Sequence, residues 1–182
     1  MIDLKRGFRI VSRYQPAAIK LPARATQNAA GYDFFAARDF VLPSIWRPQF
    51  IKIFWQLRKN KQQLTPLELQ AAQKCLRPFL VPTGIKAYMQ PDEFLLLANR
   101  SSGPLKRSLV LPNGVGVVDA DYYDNPSNEG EIFFQLLNLG LTDQVIKQGE
   151  KIGQGIFLPF LPADDEAKPQ NIRQGGFGSS GK

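Results

Sequence analysis

Carboxylates are where the chemistry of this chain must reside, because its 182 residues include no histidine and one cysteine, Cys75. That removes the usual general base at neutral pH, the commonest metal ligand, cysteine-cluster zinc sites and any disulfide within the chain. The segment Asn113-Gly114-Val115-Gly116-Val117-Val118-Asp119-Ala120-Asp121-Tyr122-Tyr123 sets two carboxylates directly after an apolar run. A carboxylate is costly to bury without partners, so this pair is not core filling. In extended chain Asp119 and Asp121 share one face, while Ala120 and Tyr122 share the other. The pattern predicts a base that deprotonates a water beside a second carboxylate facing a cation, which suits hydrolysis of a phosphoanhydride. Asp119 is the candidate base.

Phosphates would then need donors, and three further stretches supply them. Asn99-Arg100-Ser101-Ser102-Gly103-Pro104 reads as a turn offering one guanidinium, two hydroxyls and backbone amides. In Gln148-Gly149-Glu150-Lys151-Ile152-Gly153-Gln154-Gly155, Gln154 brings an amide donor into a strand that its glycines leave open. The chain closes on RQGGFGSSGK, read as a flexible flap over 170–182. Its glycines permit close approach to a ligand, Arg173 carries a phosphate-matching fork, and Phe177 offers a flat apolar face. Ala30-Gly31-Tyr32-Asp33 adds an aspartate at the entry to a strand. Magnesium, brought by a nucleotide and keeping several waters, fits such oxygen-only surroundings.

The elements that must position these groups read as strands. Short runs such as EFLLLANR and EIFFQLLNLG are separated by Gly, Pro, Asn and Asp at intervals of roughly eight to twelve residues, which predicts an all-β barrel or sandwich. Residues 44–78 break that pattern. Phe50, Ile53, Phe54 and Leu57 at i, i+3, i+4 and i+7 predict an amphipathic helix. Thr65-Pro66-Leu67-Glu68 predicts a capping box that opens a second helix through Leu69, Ala72, Cys75 and Leu76. The resulting αα-hairpin, inserted in a single domain over 1–182, holds seven Lys and Arg against Glu68 alone, so all but one unit of the net +7 lies there. A near-neutral body does not track a phosphate backbone, so no nucleic-acid partner is expected; the hairpin is a candidate docking surface for a protein. No apolar run reaches the roughly 18 residues of a membrane span, and MIDLKRGFRIVSRY lacks the apolar stretch of a signal peptide. The expectation is a cytoplasmic protein with no membrane partner.

Taken in order, these stretches resemble the five motifs of the trimeric dUTPase family: AAGYDFFA the first, NRSSGP the second, NGVGVVDADYY the third, GEKIGQ the fourth and RQGGFGSSG the fifth. The resemblance covers residues 7–42 and 79–181 and is nearest to the forms of Gram-positive bacteria and their phages. It implies a distorted β jelly roll, a homotrimer with shared active sites, and magnesium-assisted hydrolysis of dUTP to dUMP and pyrophosphate by attack at the α-phosphorus. Such an activity keeps uracil out of DNA and supplies the thymidylate precursor. By the same resemblance Asp119 activates the water, and Asn113, with Gly116 and Val118 beyond it, belongs to the segment that receives the uracil. Tyr122 lies under the deoxyribose, where a 2′-hydroxyl would clash. Arg100, Ser101, Ser102 and Gln154 face phosphates, and Asp33 lies near a metal ion that the triphosphate mainly holds, reaching it through water. In the tail, Arg173 matches the γ-phosphate clamp, Phe177 followed by Gly178 the closure over the uracil, and Ser179 and Ser180 the hydroxyls at the phosphates.

Three features depart from the family pattern. Ser102 stands where many members have glycine, Tyr123–Gly130 lengthens the turn after the third motif, and the hairpin at 44–78 is absent from the commonest forms. Two other readings share part of the pattern. One is a dCTP deaminase of the same superfamily, which also carries Arg-Ser-Ser; the other is a nucleotide-gated regulatory binding protein acting through 44–78.

Overall fold

The computed structural model describes residues 4–60 and 64–166. Along the chain run β1 (Gly7–Ile10), β2 (Ala23–Arg24), β3 (Tyr32–Phe35), β4 (Phe40–Leu42), α1 (Pro48–Asn60), α2 (Pro66–Cys75), β5 (Phe79–Pro82) and β6 (Ile85–Tyr88). There follow β7 (Glu93–Ala98), α3 (Ser102–Arg107), β8 (Leu109–Val110), β9 (Gly116–Asp119), β10 (Phe133–Asn138), β11 (Gln144–Ile146) and β12 (Lys151–Pro159). Nine-residue β12 is the spine, pairing with β3 on one side and β7 on the other in the sheet order β2-β3-β12-β7-β9. A second sheet has the order β5-β10-β8, and the pairs β1-β6 and β11-β4 complete an antiparallel arrangement of the jelly-roll kind. The all-β class expected from the strand spacing is the class observed.

Alternation along the strands builds the core. On β7 Leu95 and Leu97 are buried between half-buried neighbours, and on β10 Phe134 and Leu136 are. Phe34 of β3 meets Phe134 with ring centroids 5.5 Å apart, and each such fully buried ring contributes about 1.5–3 kcal/mol. The glycines of β12 serve this packing. A β-carbon at Gly153 would overlap the Phe134 ring, so the strand is not left open for a ligand there, contrary to the expectation; it is filled by an aromatic side chain.

Residues 48–60 and 66–75 are helical, and Thr65 forms the capping box with Glu68: each side chain accepts from the other residue's backbone amide. The apolar stripe of α1 is only partly covered. Ile53 is buried and Phe50 half-buried, but Phe54 and Leu57 are 46% and 49% exposed, because α1 packs only along one side against α2 and its base. No described helix is long and apolar enough to cross a membrane.

Candidate active site

The register of β12 gathers three of the five motifs. Gln154 lies opposite Asp33 on β3 and opposite Ala98 on β7, just before Asn99 and Arg100. Buried Asp33 accepts an ion pair from Arg100 Nε at 2.9 Å and another from Lys151 Nζ at 2.6 Å. Gln154 Nε2 donates to the Asn99 carbonyl at 3.0 Å, and a β-carbon at Gly31 would overlap the Gln154 carboxamide. The aspartate thus aims two cations that are themselves partly exposed, with side-chain exposures of 31% and 40%. Its placement between two cations is what makes the burial of a carboxylate tolerable.

Lys151 is a member of this cluster that the sequence did not reveal. In an unbroken strand residues 151 and 154 would face opposite ways. The register shifts between Lys151 and Gly153, so Lys151 comes opposite Phe35 while Gln154 stays opposite Asp33, and both then lie on one face. A bulge of this kind leaves no mark in the hydrophobic pattern.

Arg100 also borders a cavity of about 380 Å³, walled by Ser102, Gly103, Lys106, Arg107 and Lys151 among others. Four cations line it against the one carboxylate of Glu150, an excess of positive charge that suits a polyanion. Ser102–Arg107 is the short helix α3 and not the expected turn, with Ser101 exposed just before it. The helix is pinned from its far end, where Arg107 pairs with Glu150 and donates to the Val145 carbonyl at 2.9 Å.

The third motif lies elsewhere. Asn113, Gly116, Val118 and Tyr122 line a second cavity, of about 190 Å³, together with Leu97 and the start of β10. Most of its lining side chains are apolar, with the amides of Asn113 and Gln135 and the carboxylate of Glu131 among them, a setting for a flat heterocycle with a polar edge. Asp119, at the end of edge strand β9, is exposed and faces a third cavity that Asp121 also borders. The expected alternation of Asp119 and Asp121 on one extended face does not hold: Ala120–Tyr122 is a turn of 3₁₀ helix, and only Asp119 keeps extended backbone. That turn is what swings Tyr122 into the interior, where it is 6% exposed.

The two groups of motifs do not meet within one chain. Asp119 registers with Phe94 and Gln154 with Ala98 on opposite edges of β7. Four residues along the strand and two inter-strand spacings separate them by roughly 16 Å. Arg173, Phe177, Gly178, Ser179 and Ser180 lie outside the described residues. Among the described residues no cluster of three His, Cys, Asp or Glu side chains could hold a metal ion.

Comparison with known proteins gives the family. Residues 67–181 match the model of the dUTPase family. The deoxyuridine 5′-triphosphate nucleotidohydrolase of Lactococcus lactis is 42% identical over 177 residues, covering 97% of each chain; that of Rickettsia conorii is 32% identical over 166 residues and 88% of each. Among solved structures, the dUTPase of Streptococcus mutans superposes with a TM-score of 0.67 at 38% identity, covering 87% of this chain and 98% of that one. The dUTPase of phage phi11 of S. aureus, at 16% identity and a TM-score of 0.61 over 92% of this chain and 98% of that one, shares the fold. On sequence and on structure alike, the chain belongs to the dUTPase family.

Proposed function

We infer that this chain hydrolyses dUTP to dUMP and pyrophosphate, with Asp119 as the base, at sites completed by neighbouring copies in a homotrimer. The observation that carries the reading is the division of labour across β7. A basic cavity around Arg100, Ser102 and Lys151 suits a triphosphate, and an apolar cavity lined by Asn113, Gly116, Val118 and Tyr122 suits a nucleoside. Because Asp119 lies roughly 16 Å from Gln154 in one chain, the phosphate donors of one copy serve the Asp119 of another. Edge strand β9 leaves Asp119 at a border that another copy can approach.

In the reaction Asp119 accepts a proton from water as the water oxygen bonds to the α-phosphorus. The bond from that phosphorus to the bridging oxygen breaks, and pyrophosphate leaves. Arg100 and Lys151, aimed by Asp33, offset the charge that accumulates on the phosphate oxygens, and Ser101, Ser102 and Gln154 lie within the same region. The tail residues Arg173, Phe177, Gly178, Ser179 and Ser180 would close over the bound nucleotide. Both carboxylate oxygens of Asp33 are taken up by cations, so a magnesium ion would be held by the triphosphate itself and would meet Asp33 only through water. Such an ion, when bound, neutralises phosphate charge. Tyr122, rigid under the sugar, would exclude a 2′-hydroxyl.

The test is pyrophosphate release with magnesium from dUTP, dCTP, dTTP and UTP, comparing the native chain with Asp119→Asn. Turnover of dUTP alone, reduced by about 10²–10⁴-fold in the variant, is expected. Turnover of dCTP in preference, or an unimpaired Asp119→Asn, would overturn the assignment.

A further inference from the structure

The lengthened turn after the third motif is wrapped around the back of Tyr122. The Tyr122 hydroxyl donates to the Glu131 carbonyl at 3.0 Å and accepts from Asn128 Nδ2 at 2.8 Å. Asn128 Oδ1 accepts from Asn125 Nδ2 at 2.8 Å and from the Gly130 amide at 3.1 Å. With two donors on its oxygen, the Asn128 amide can point only one way, its Nδ2 toward the phenol. Asn125 Nδ2 also donates to the Tyr122 carbonyl at 2.9 Å, while its Oδ1 accepts from the Ser127 and Asn128 amides. Gly130, at φ +79°, passes so near the Tyr122 carbonyl that a β-carbon there would overlap it.

The loop is tied in turn to the scaffold. Lys86 of β6 pairs with Asp124 and Glu129, and the Ser12 amide donates to Glu129 at 3.2 Å. Buried Glu131 accepts from the Tyr14 hydroxyl at 2.8 Å and the Gly84 amide at 3.1 Å, and pairs with Arg13. Since Tyr122 lines the apolar cavity, the loop fixes a wall of that cavity.

We propose that Asn128 is a positioning residue for sugar selectivity, holding Tyr122 so firmly that the cavity cannot yield to a ribose 2′-hydroxyl. The inference rests on the reading of Tyr122 as the wall beneath the deoxyribose. An apolar wall rejects one added hydroxyl only weakly by chemistry, so rejection depends on the wall not retreating. Here the phenol is held at its hydroxyl by two hydrogen bonds and at its carbonyl by Asn125. Nothing in the deletion of a hydrogen bond behind the ring would otherwise alter the choice between dUTP and UTP.

The experiment measures kcat/KM for dUTP and UTP in the native chain, Asn128→Asp, Tyr122→Phe and the double variant, with thermal melts of each. Asn128→Asp keeps the shape and the oxygen that accepts from Asn125 and Gly130 but removes the donor to the phenol. Tyr122→Phe removes the hydroxyl while leaving the loop sequence intact. Each variant is expected to narrow the dUTP-to-UTP ratio by about tenfold, mostly through a gain in UTP turnover, and the double variant to be no worse than either single one. A native ratio in Tyr122→Phe, or additive losses in the double variant, would overturn the inference. A native chain that does not turn over dUTP would sink the activity itself, and the inference with it.

Discussion

Asp33 carries more of the site's organisation than its place at a strand entry suggests. Its two oxygens hold Arg100 and Lys151 at 2.9 and 2.6 Å, and the carboxylate itself is buried. Asp33→Asn keeps the shape but removes the charge that aims both cations, so kcat/KM for dUTP should fall by about tenfold, chiefly through KM. Steady-state kinetics at saturating magnesium check this; an unchanged KM would show that the cations are oriented by other groups. The aspartate was legible in sequence as a candidate because AGYD precedes an apolar run, and so were Arg100 and Gln154. Lys151 was not, because its face is decided by a bulge between β12 and β3, and a one-residue shift is invisible to alternation counting.

At the scale of elements, the capping box was legible in the sequence, while the helix at Ser102–Arg107 and the 3₁₀ turn at Ala120–Tyr122 were not. Thr65 and Glu68 close their capping box with partners three residues apart, so nothing distant had to be known. The β12 glycines depended on a distant strand: only the fold brings Phe134 over Gly153. Gly153→Ala should therefore cost about 1–3 kcal/mol by overpacking, seen as a lower urea midpoint with an unchanged slope. The loop after Tyr122 makes a prediction in pH. Hydrogen bonds from the Ser12 hydroxyl and amide, then from Lys86, hold the Glu129 carboxyl at about 2, against an ordinary 4.5. As pH falls, the unfolded chain takes up this proton first, so the stabilisation is full above pH 4.5 and is lost between 4.5 and 2. Thermal melts of the native chain and Glu129→Gln should differ most above pH 4.5 and converge toward pH 2. A difference independent of pH would mean that the charge of Glu129 contributes nothing.

For the whole molecule, the sequence supplied the motifs but not the distance between them. Two inter-strand spacings and four residues of β7 keep Asp119 roughly 16 Å from Gln154, so one chain places the proposed base and the proposed phosphate donors apart. If neighbouring copies complete each site, two inactive variants can repair each other. Asp119→Asn chains retain Arg100, and Arg100→Ala chains retain Asp119. Unfolded together in equal amounts and refolded, they form mixed trimers in which a site regains activity whenever its base comes from one variant and its guanidinium from the other. Random assembly gives that combination in about a quarter of sites, so the mixture should recover about a quarter of native turnover, while each variant refolded alone stays inactive. A site built within one chain would give no recovery at any ratio, because every chain in the mixture lacks one of the two groups. Varying the ratio sharpens the distinction: shared sites predict a maximum at equal amounts, falling away symmetrically toward either pure variant.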